Sequence, residues 1–290
     1  MRLNAPPEVV KEQVAAGFAE AATRYGTSGP DFFADMGCRL VDLADVKPGM
    51  RVLDVGCGKG AVTIPAARLA GVDGHVHAID LAIPMVEATN ARARKFGLAN
   101  ITVEQGDAED PPSSSGWPVS GFDAVLAGYV IQFLPRPELA VRRWLSLLRP
   151  GGSIGFSWGL AQDPAWIPAM AAIDAHVPAG VPGFEAFFRR PPFNGIDPVE
   201  HMLTSSGYHQ VDTVISEVET VYESPGHWFA ECRSQGPWAI SWRHIPPARL
   251  GMALTDAFAA LEGLRGPDGA LSRTLTLAIT TGRKPGGDGE

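Results

Sequence analysis

The chain has 290 residues, of which 45% are hydrophobic and 19% charged, so it can bury a substantial core and disorder is not expected. Its formal net charge of -8 argues against polyanionic partners such as nucleic acids or anionic membrane surfaces. The three cysteines lack metal-site spacing, and neither a signal-like apolar segment nor a membrane-length apolar run is present. These features predict a soluble, cytoplasmic protein.

The first 46 residues are predicted to form a helical cap. In residues 7–22, Val10, Val14 and Phe18 recur at helical spacing, which predicts an amphipathic helix. A second helix is predicted over residues 31–44, because a Lys-Pro-Gly sequence then ends the helical pattern.

Residues 47–158 alternate short apolar runs with helical patterns. Strands are predicted at 51–55, 75–79, 101–104, 122–127 and 153–157, and helices at 61–69, 84–96 and 138–148. Strands that alternate with helices at short spacing predict a parallel sheet with right-handed crossovers.

The alternation breaks after residue 158. Residues 159–196 are predicted to form a helical lid insertion, and residues 197–290 to complete the core around a second helical insertion at 224–266. A helix is predicted at 165–176 and an alternating strand at 210–217. The strand predicted at 274–281 also alternates apolar with polar residues, as antiparallel strands do. The aromatic residues of the insertions either line the lid or form its own core. The predicted fold class is α/β, with a doubly wound, mostly parallel seven-stranded sheet and an antiparallel last strand.

A glycine-dense turn follows the first predicted strand. Asp54 lies in the strand and Gly56, Gly58 and Gly60 in the turn, which allows a ligand to approach the backbone and the positive end of the next helix. Asp80 ends the second strand, where a carboxylate can accept both hydroxyls of a ribose. The third glycine comes one residue early for a dinucleotide fingerprint, and an acid in the strand favours an amine-bearing ligand over a pyrophosphate.

This turn resembles motif I of the class I S-adenosylmethionine-dependent methyltransferases. The acid ending strand two, the Asp-Ala pair after strand three, the fourth strand at 122–127 and the turn at 148–152 resemble later motifs of that family, in the same order. The chain is therefore identified as a member of the branch that acts on small molecules.

The resemblance implies a cofactor site for S-adenosyl-L-methionine. Asp54 and the backbone of Gly56 and Gly58 would meet the amine and carboxylate of the methionine moiety, and Asp80 would bind the ribose. Asp107 and Ala108 would recognise the adenine edge. The other implied cofactor contacts are Tyr25, Leu81, Met85, Ala127 and Gln132.

Methyl transfer needs alignment and exclusion of water more than acid–base groups, because a sulfonium is already a strong electrophile. A base helps only where the acceptor must lose a proton, and the candidates for a catalytic role are Tyr129, His201 and His227. For each histidine, a structural imidazole is the simpler interpretation, whereas the phenol of Tyr129 is suited to orienting substrate. Tyr129 and Trp158 are predicted to contact the acceptor.

The predicted function is methyl transfer to a small apolar or aromatic metabolite without a metal ion, and the Pro-, Gly- and Ala-rich composition suits secondary metabolism. Two alternatives keep the cofactor: a non-methylating tailoring enzyme such as a cyclase, and a non-catalytic binding protein. The acceptor, the choice among O-, C-, N- and S-methylation, the use of a base and a homo-oligomeric state stay open.

Overall fold

A computed structural model of the protein describes residues 5–24, 32–112, 116–118, 121–181, 187, 190–235 and 240–287. The described chain divides into two compact units. The sheet unit comprises the described parts of Phe32–Trp158, Gly195–Ile215 and Ala278–Glu290, and the helical unit those of Met1–Asp31, Gly159–Asn194 and Ser216–Leu277. The domain boundaries predicted from the sequence stay predictions.

Seven strands form one sheet in the order β3-β2-β1-β4-β5-β7-β6. The strands are β1 (Arg51–Val55), β2 (His75–Asp80), β3 (Ile101–Gln105), β4 (Phe122–Gly128), β5 (Leu148–Ala161), β6 (His209–Tyr222) and β7 (Leu271–Arg283). The first five pair in parallel, with β1 between β2 and β4. The carboxyl ends of β1, β2, β3 and β4 therefore meet at one edge, where open α/β sheets bind their ligands.

The last strand runs antiparallel to β5. Lys284 N donates a hydrogen bond to Gly152 O at 2.8 Å, and Trp158 Nε1 donates to Thr280 Oγ1 at 3.0 Å. Residue numbers thus fall along β7 as they rise along β5. The predicted mostly parallel, seven-stranded sheet with an antiparallel last strand is confirmed.

Helices of the sheet unit pack on its strands. They are α2 (Phe32–Leu43), α3 (Thr63–Ala70), α4 (Ile83–Lys95), α5 (Pro137–Leu147) and α7 (Ile196–Ser205). Helix α2 contacts α3 and β4, whereas α5 contacts α7 and β4. Helix α2 buries Phe32, Met36 and Leu40, one apolar stripe at helical spacing, and this stripe attaches the helix to the sheet.

The helical unit contains α1 (Pro7–Ala21), α6 (Ile167–Asp174), α8 (Pro225–Ser234) and α9 (Pro247–Glu262). Its core is aromatic: the Trp166 ring lies 5.5 Å from that of Tyr222 and 5.8 Å from that of Trp228, between centroids. Trp166, Tyr222 and Trp228 are all buried. Trp166 and Trp228, which belong to the predicted insertions, therefore form part of the core of their own unit.

Strands β5, β6 and β7 are longer than the sequence predicts. The apolar run at 153–157 marks only the middle of β5, which also includes a polar, glycine-containing start, and β6 and β7 likewise extend beyond 210–217 and 274–281. The apolar pattern identifies the buried middle of each strand, but it does not extend to the more polar ends. The helix predicted at 165–176 is a 3-10 turn, Pro164–Trp166, followed by α6. Within the described residues, no helix is both long and apolar enough to cross a membrane.

Candidate active site

The glycine turn between β1 and α3 contacts the turn after β4. Gly56 has φ +70°, and a Cβ atom placed on it would lie 2.8 Å from Val130 Cγ1 and closer still to Cγ2. Only glycine satisfies both the positive φ and this close approach. At Gly58, with φ +53°, a Cβ atom would meet no atom of another described residue within 4 Å, its two chain neighbours aside. The turn is thus packed at Gly56 and open at Gly58, as a ligand-binding loop requires.

Asp80 at the end of β2 is hydrogen-bonded to the glycine turn. Its Oδ2 accepts from Gly58 N and its Oδ1 from Ala82 N, both at 2.9 Å. Burial raises the pKa of this carboxyl group, while the backbone hydrogen bonds oppose that rise. Each carboxylate oxygen has a second lone pair, so the group can still accept from a ligand hydroxyl.

Asp54 in β1 has no solvent-exposed surface. Its Oδ2 accepts a hydrogen bond from Thr63 Oγ1 at 2.5 Å, and its Oδ1 has no partner among the described residues. Burial, with a smaller contribution from the charge of Asp80, raises its pKa to about 7 against the hydrogen bonds from Thr63. A buried carboxylate oxygen without a donor is costly unless a ligand supplies one.

The corner after β3 lies beside the end of β2. Gly106 N donates to Asp80 O at 3.0 Å, and Asp107 Oδ1 accepts from Glu109 N at 2.9 Å. Ala108 O accepts a hydrogen bond from Trp144 Nε1 at 2.8 Å. The Asp107–Ala108 pair therefore has a fixed conformation at the same sheet edge as Asp80.

The turn after β4 begins at a strained residue. Tyr129 has φ +59°, uncommon for a residue other than glycine, and its N–H donates to Ser157 Oγ at 3.0 Å. Its ring lies edge-on to Phe32 and Phe33, with centroids 6.3 and 5.7 Å apart. Strained backbone of this kind is concentrated at functional sites.

The remaining cofactor candidates of the sheet unit are close in sequence to Asp80 and Tyr129. Met85 and Ala127 are buried and Leu81 is half-buried, while Gln132 is buried in the 3-10 turn Ile131–Phe133. Gln105 Nε2 donates to Leu81 O at 3.1 Å, which ties the residue after β2 to the end of β3.

The other predicted site residues are Tyr25, His201, His227 and Trp158. Tyr25 lies outside the described residues. His201 is exposed on α7, and His227 belongs to the helical unit, where its Nδ1 accepts from Glu223 N at 3.3 Å. Trp158 is fully buried and its indole N–H is donated to Thr280, so its position gives no support to the predicted acceptor contact.

Sequence reasoning missed the residues that hold the site in place. Thr89 Oγ1 donates to Gly58 O at 2.6 Å and Arg92 Nη1 to Lys59 O at 3.0 Å, so α4 fixes the glycine turn. Thr63 had a usable signal, a hydroxyl in the first turn of the helix that follows the glycines. No local pattern identifies Trp144, which reaches Ala108 across 36 residues of sequence.

The comparisons with known proteins agree with this geometry. A methyltransferase-domain family matches residues 46–164. The chain is 32% identical to nocamycin O-methyltransferase of Saccharothrix syringae over 93% of this chain and 98% of that protein. It is 42% identical to aklanonic acid methyltransferase of a Streptomyces species over 51% of this chain and 65% of that protein. The chain belongs to the S-adenosylmethionine-dependent methyltransferases.

A solved structure shares the fold of this methyltransferase. The putative methyltransferase from Bacillus halodurans superimposes with a TM-score of 0.57 at 16% identity, over 86% of this chain and 98% of that one. The predicted family, cofactor and enzyme class are therefore confirmed: the methyltransferase uses S-adenosyl-L-methionine and transfers a methyl group to a small molecule.

Proposed function

We propose that the enzyme methylates an oxygen atom of a small, apolar or aromatic secondary metabolite. The observation that carries this proposal is the match to nocamycin O-methyltransferase, which extends over 286 residues. It therefore includes both helical insertions predicted after residue 158, whereas the matched methyltransferase domain ends at residue 164.

The proposed cofactor placement starts from two acids, the buried Asp54 and the half-buried Asp80. The amino group of S-adenosylmethionine is a hydrogen-bond donor, and Asp54 Oδ1 is a buried acceptor without a partner among the described residues. Asp80 would accept from the ribose while it holds Gly58 N, and the open space beside Gly58 leaves room for the ligand. These groups fit the cofactor in charge and in hydrogen bonding.

The adenine would lie between the ends of β2 and β3. Asp107 and Ala108 would recognise its edge, and their fixed conformation supports that role because a rigid corner loses little entropy on binding. The remaining contacts proposed for the cofactor are the side chains of Leu81, Met85, Ala127 and Gln132.

When bound, the cofactor would supply an electrophilic methyl group on a positively charged sulfur. The acceptor oxygen would form a bond to the methyl carbon as the C–S bond breaks, and S-adenosylhomocysteine would leave. The protein has to place the acceptor oxygen on the methyl axis and keep water away. Tyr129 is the residue we assign to acceptor orientation, because the turn after β4 fixes its backbone at the carboxyl edge of the sheet.

The proton of an acceptor hydroxyl has to leave as the new C–O bond forms, whereas an acceptor carboxylate has none to lose. His201 is exposed and lacks the buried, polar surroundings that activate a base, whereas His227 is half-buried among residues of the helical unit. A histidine base therefore stays a prediction without support from position. This chemistry favours acceptors with an acidic hydroxyl or a carboxyl group.

The test uses acceptors that share one skeleton and differ in a single functional group. Deuteromethyl-labelled S-adenosylmethionine is incubated with a panel of aromatic compounds that carry a hydroxyl, carboxyl, amino or thiol group on one skeleton, and products are identified by mass spectrometry. We expect labelled methyl ethers or esters from the oxygen acceptors. Labelled N- or S-methyl products alone would overturn O-methylation. Conversion without label would favour a non-methylating tailoring enzyme.

A further inference from the structure

A threonine hydroxyl contacts the buried acid of the glycine-turn strand. Thr63, in the first turn of α3, has no exposed surface, and its Oγ1 donates to Asp54 Oδ2 at 2.5 Å. Asp54 Oδ1 receives no hydrogen bond from the described residues. The two oxygens of this carboxylate therefore differ: Oδ2 is hydrogen-bonded to Thr63, and Oδ1 is available to a ligand.

The titratable groups that face Asp54 do not favour its charge. They are Asp80 from the end of β2 and the Cys57 thiol of the turn, whose own pKa is raised by burial and by both acids. The interactions that lower the pKa of Asp54 both come from Thr63, through its side chain and its backbone N–H. Removing the hydroxyl would remove one of these interactions, so burial would raise the pKa of Asp54 further.

We propose that Thr63 is a positioning residue for the cofactor: its hydroxyl directs Asp54 Oδ1 toward the cofactor amino group and keeps the carboxylate charged in the complex. This inference rests on the cofactor placement proposed above. Below neutral pH, binding converts the neutral carboxylic acid of Asp54 to a carboxylate and releases its proton to solvent, while the cofactor amine stays an ammonium ion.

The test measures binding rather than turnover. Titration calorimetry with S-adenosylhomocysteine is run between pH 5.5 and 7.5, in pairs of buffers that differ in ionisation enthalpy, which gives the number of protons released. The variants are Thr63→Val, which keeps the shape but loses the hydroxyl, Thr63→Ser, which keeps the hydroxyl, and Asp54→Asn. The control ligand is 5′-methylthioadenosine, which keeps the adenosine but lacks the α-amino and carboxylate groups of the amino-acid moiety.

For wild type, we expect the affinity for S-adenosylhomocysteine to fall about tenfold per pH unit below pH 7, with release of close to one proton per ligand. Thr63→Ser should keep that profile. Thr63→Val should bind about tenfold more weakly at pH 7, with its pH profile moved to higher pH. The affinity for 5′-methylthioadenosine should not change in any variant, which also shows that the variants are folded.

Wild-type affinity and an unshifted pH profile in Thr63→Val would overturn the role of Thr63. If Thr63→Val does not fold, Thr63→Ala replaces it with the same expectation. Unchanged binding of S-adenosylhomocysteine to Asp54→Asn would instead overturn the proposed cofactor placement. Weak binding by Asp54→Asn with normal binding by Thr63→Val separates the two failures.

Discussion

Gly56 and Val130 lie so close that no side chain fits between them: a Cβ atom on the glycine would be 2.8 Å from Val130 Cγ1. This relationship fixes the distance between the turn that follows β1 and the turn that follows β4. The first turn is proposed to bind the cofactor and the second to orient the acceptor. The contact between Gly56 and Val130 thus sets the distance between the proposed cofactor-binding turn and the proposed acceptor-binding turn.

Replacing this glycine should damage stability and binding together. Gly56→Ala places a Cβ at positive φ, which costs about 1–2 kcal/mol, and overlap with Val130 adds about 1–3 kcal/mol. We expect a melting temperature lower by several degrees and weaker binding of S-adenosylhomocysteine, measured by thermal melts and calorimetry. Val130→Ala in the same chain should restore part of both losses.

Gly58→Ala is the matched control, because its Cβ would be more than 4 Å from every described residue other than its chain neighbours. It should weaken ligand binding with a smaller loss of stability, since the Cβ points into the space proposed for the cofactor. Equal effects of the two substitutions on stability would show that the contact with Val130 is unimportant.

Asp80 should contribute to ligand affinity directly. Asp80→Asn removes one acceptor oxygen and the charge, and we expect S-adenosylhomocysteine to bind more weakly by about 1–3 kcal/mol, the range for hydrogen bonds to charged groups. Calorimetry against Asp73→Asn, a change at an exposed position of the same unit, provides the comparison. An unchanged dissociation constant for Asp80→Asn would remove this residue from the site.

Much of this site could be predicted because its signals are local. Asp54, Asp80 and the glycines lie within 27 residues, and each occupies a position dictated by a strand end or a tight turn. The long-range contacts have no such signal. The indole of Trp144 supports Ala108, and Arg136 forms an ion pair with Glu109 at 2.9 Å, but either residue looks like an ordinary member of an amphipathic segment.

The acceptor side was harder to predict for a physical reason. An aromatic residue after a strand is equally suited to a substrate pocket and to a core, because both are apolar. Trp158 shows this ambiguity: its indole N–H donates to Thr280 inside the sheet unit, and its contact with the acceptor stays a prediction. The positive φ of Tyr129 depends on its tertiary contacts, since nothing in the residue type favours that conformation.

The phenol of Tyr129 should affect the acceptor and not the cofactor. Once an acceptor is known, Tyr129→Phe should raise its KM about 3–10-fold, the loss of one neutral hydrogen bond, with unchanged affinity for S-adenosylhomocysteine. Tyr208→Phe is the control, because the Tyr208 hydroxyl donates to Val141 O at 2.9 Å within the core. That variant should lose stability and keep the KM. A wild-type KM in Tyr129→Phe would end the assignment.

Turnover should survive removal of metal ions. Within the part of the chain that the structure describes, no cluster of three or more His, Cys, Asp or Glu side chains could hold a metal ion. We expect the same initial rate with and without EDTA once an acceptor is known. A rate lost with EDTA and restored by magnesium would contradict a metal-independent reaction.

The last prediction concerns a buried acid of the helical unit. Glu231 on α8 is 2% exposed, its Oε1 accepts from Gln235 Nε2 at 2.9 Å, and its Oε2 has no partner among the described residues. Burial raises the pKa of this carboxyl group above its usual value. The folded protein therefore binds this proton more tightly than the unfolded chain does. The resulting stabilisation is complete below the unfolded pKa and is lost as the pH rises through the folded pKa.

Glu231→Gln cannot ionise, so the stability of the variant relative to wild type should increase from pH 5 to pH 8, measured by chemical denaturation. Glu262→Gln on α9 is a control of opposite sign, because the hydrogen bond from Arg265 lowers the pKa of Glu262. That stabilisation is fully present above the unfolded pKa and is lost as the pH falls through the folded pKa, so the stability of this variant relative to wild type should stay level from pH 5 to pH 8 and rise only at more acidic pH. Parallel pH profiles for wild type and Glu231→Gln would mean that Glu231 ionises as easily in the folded protein as in the unfolded chain.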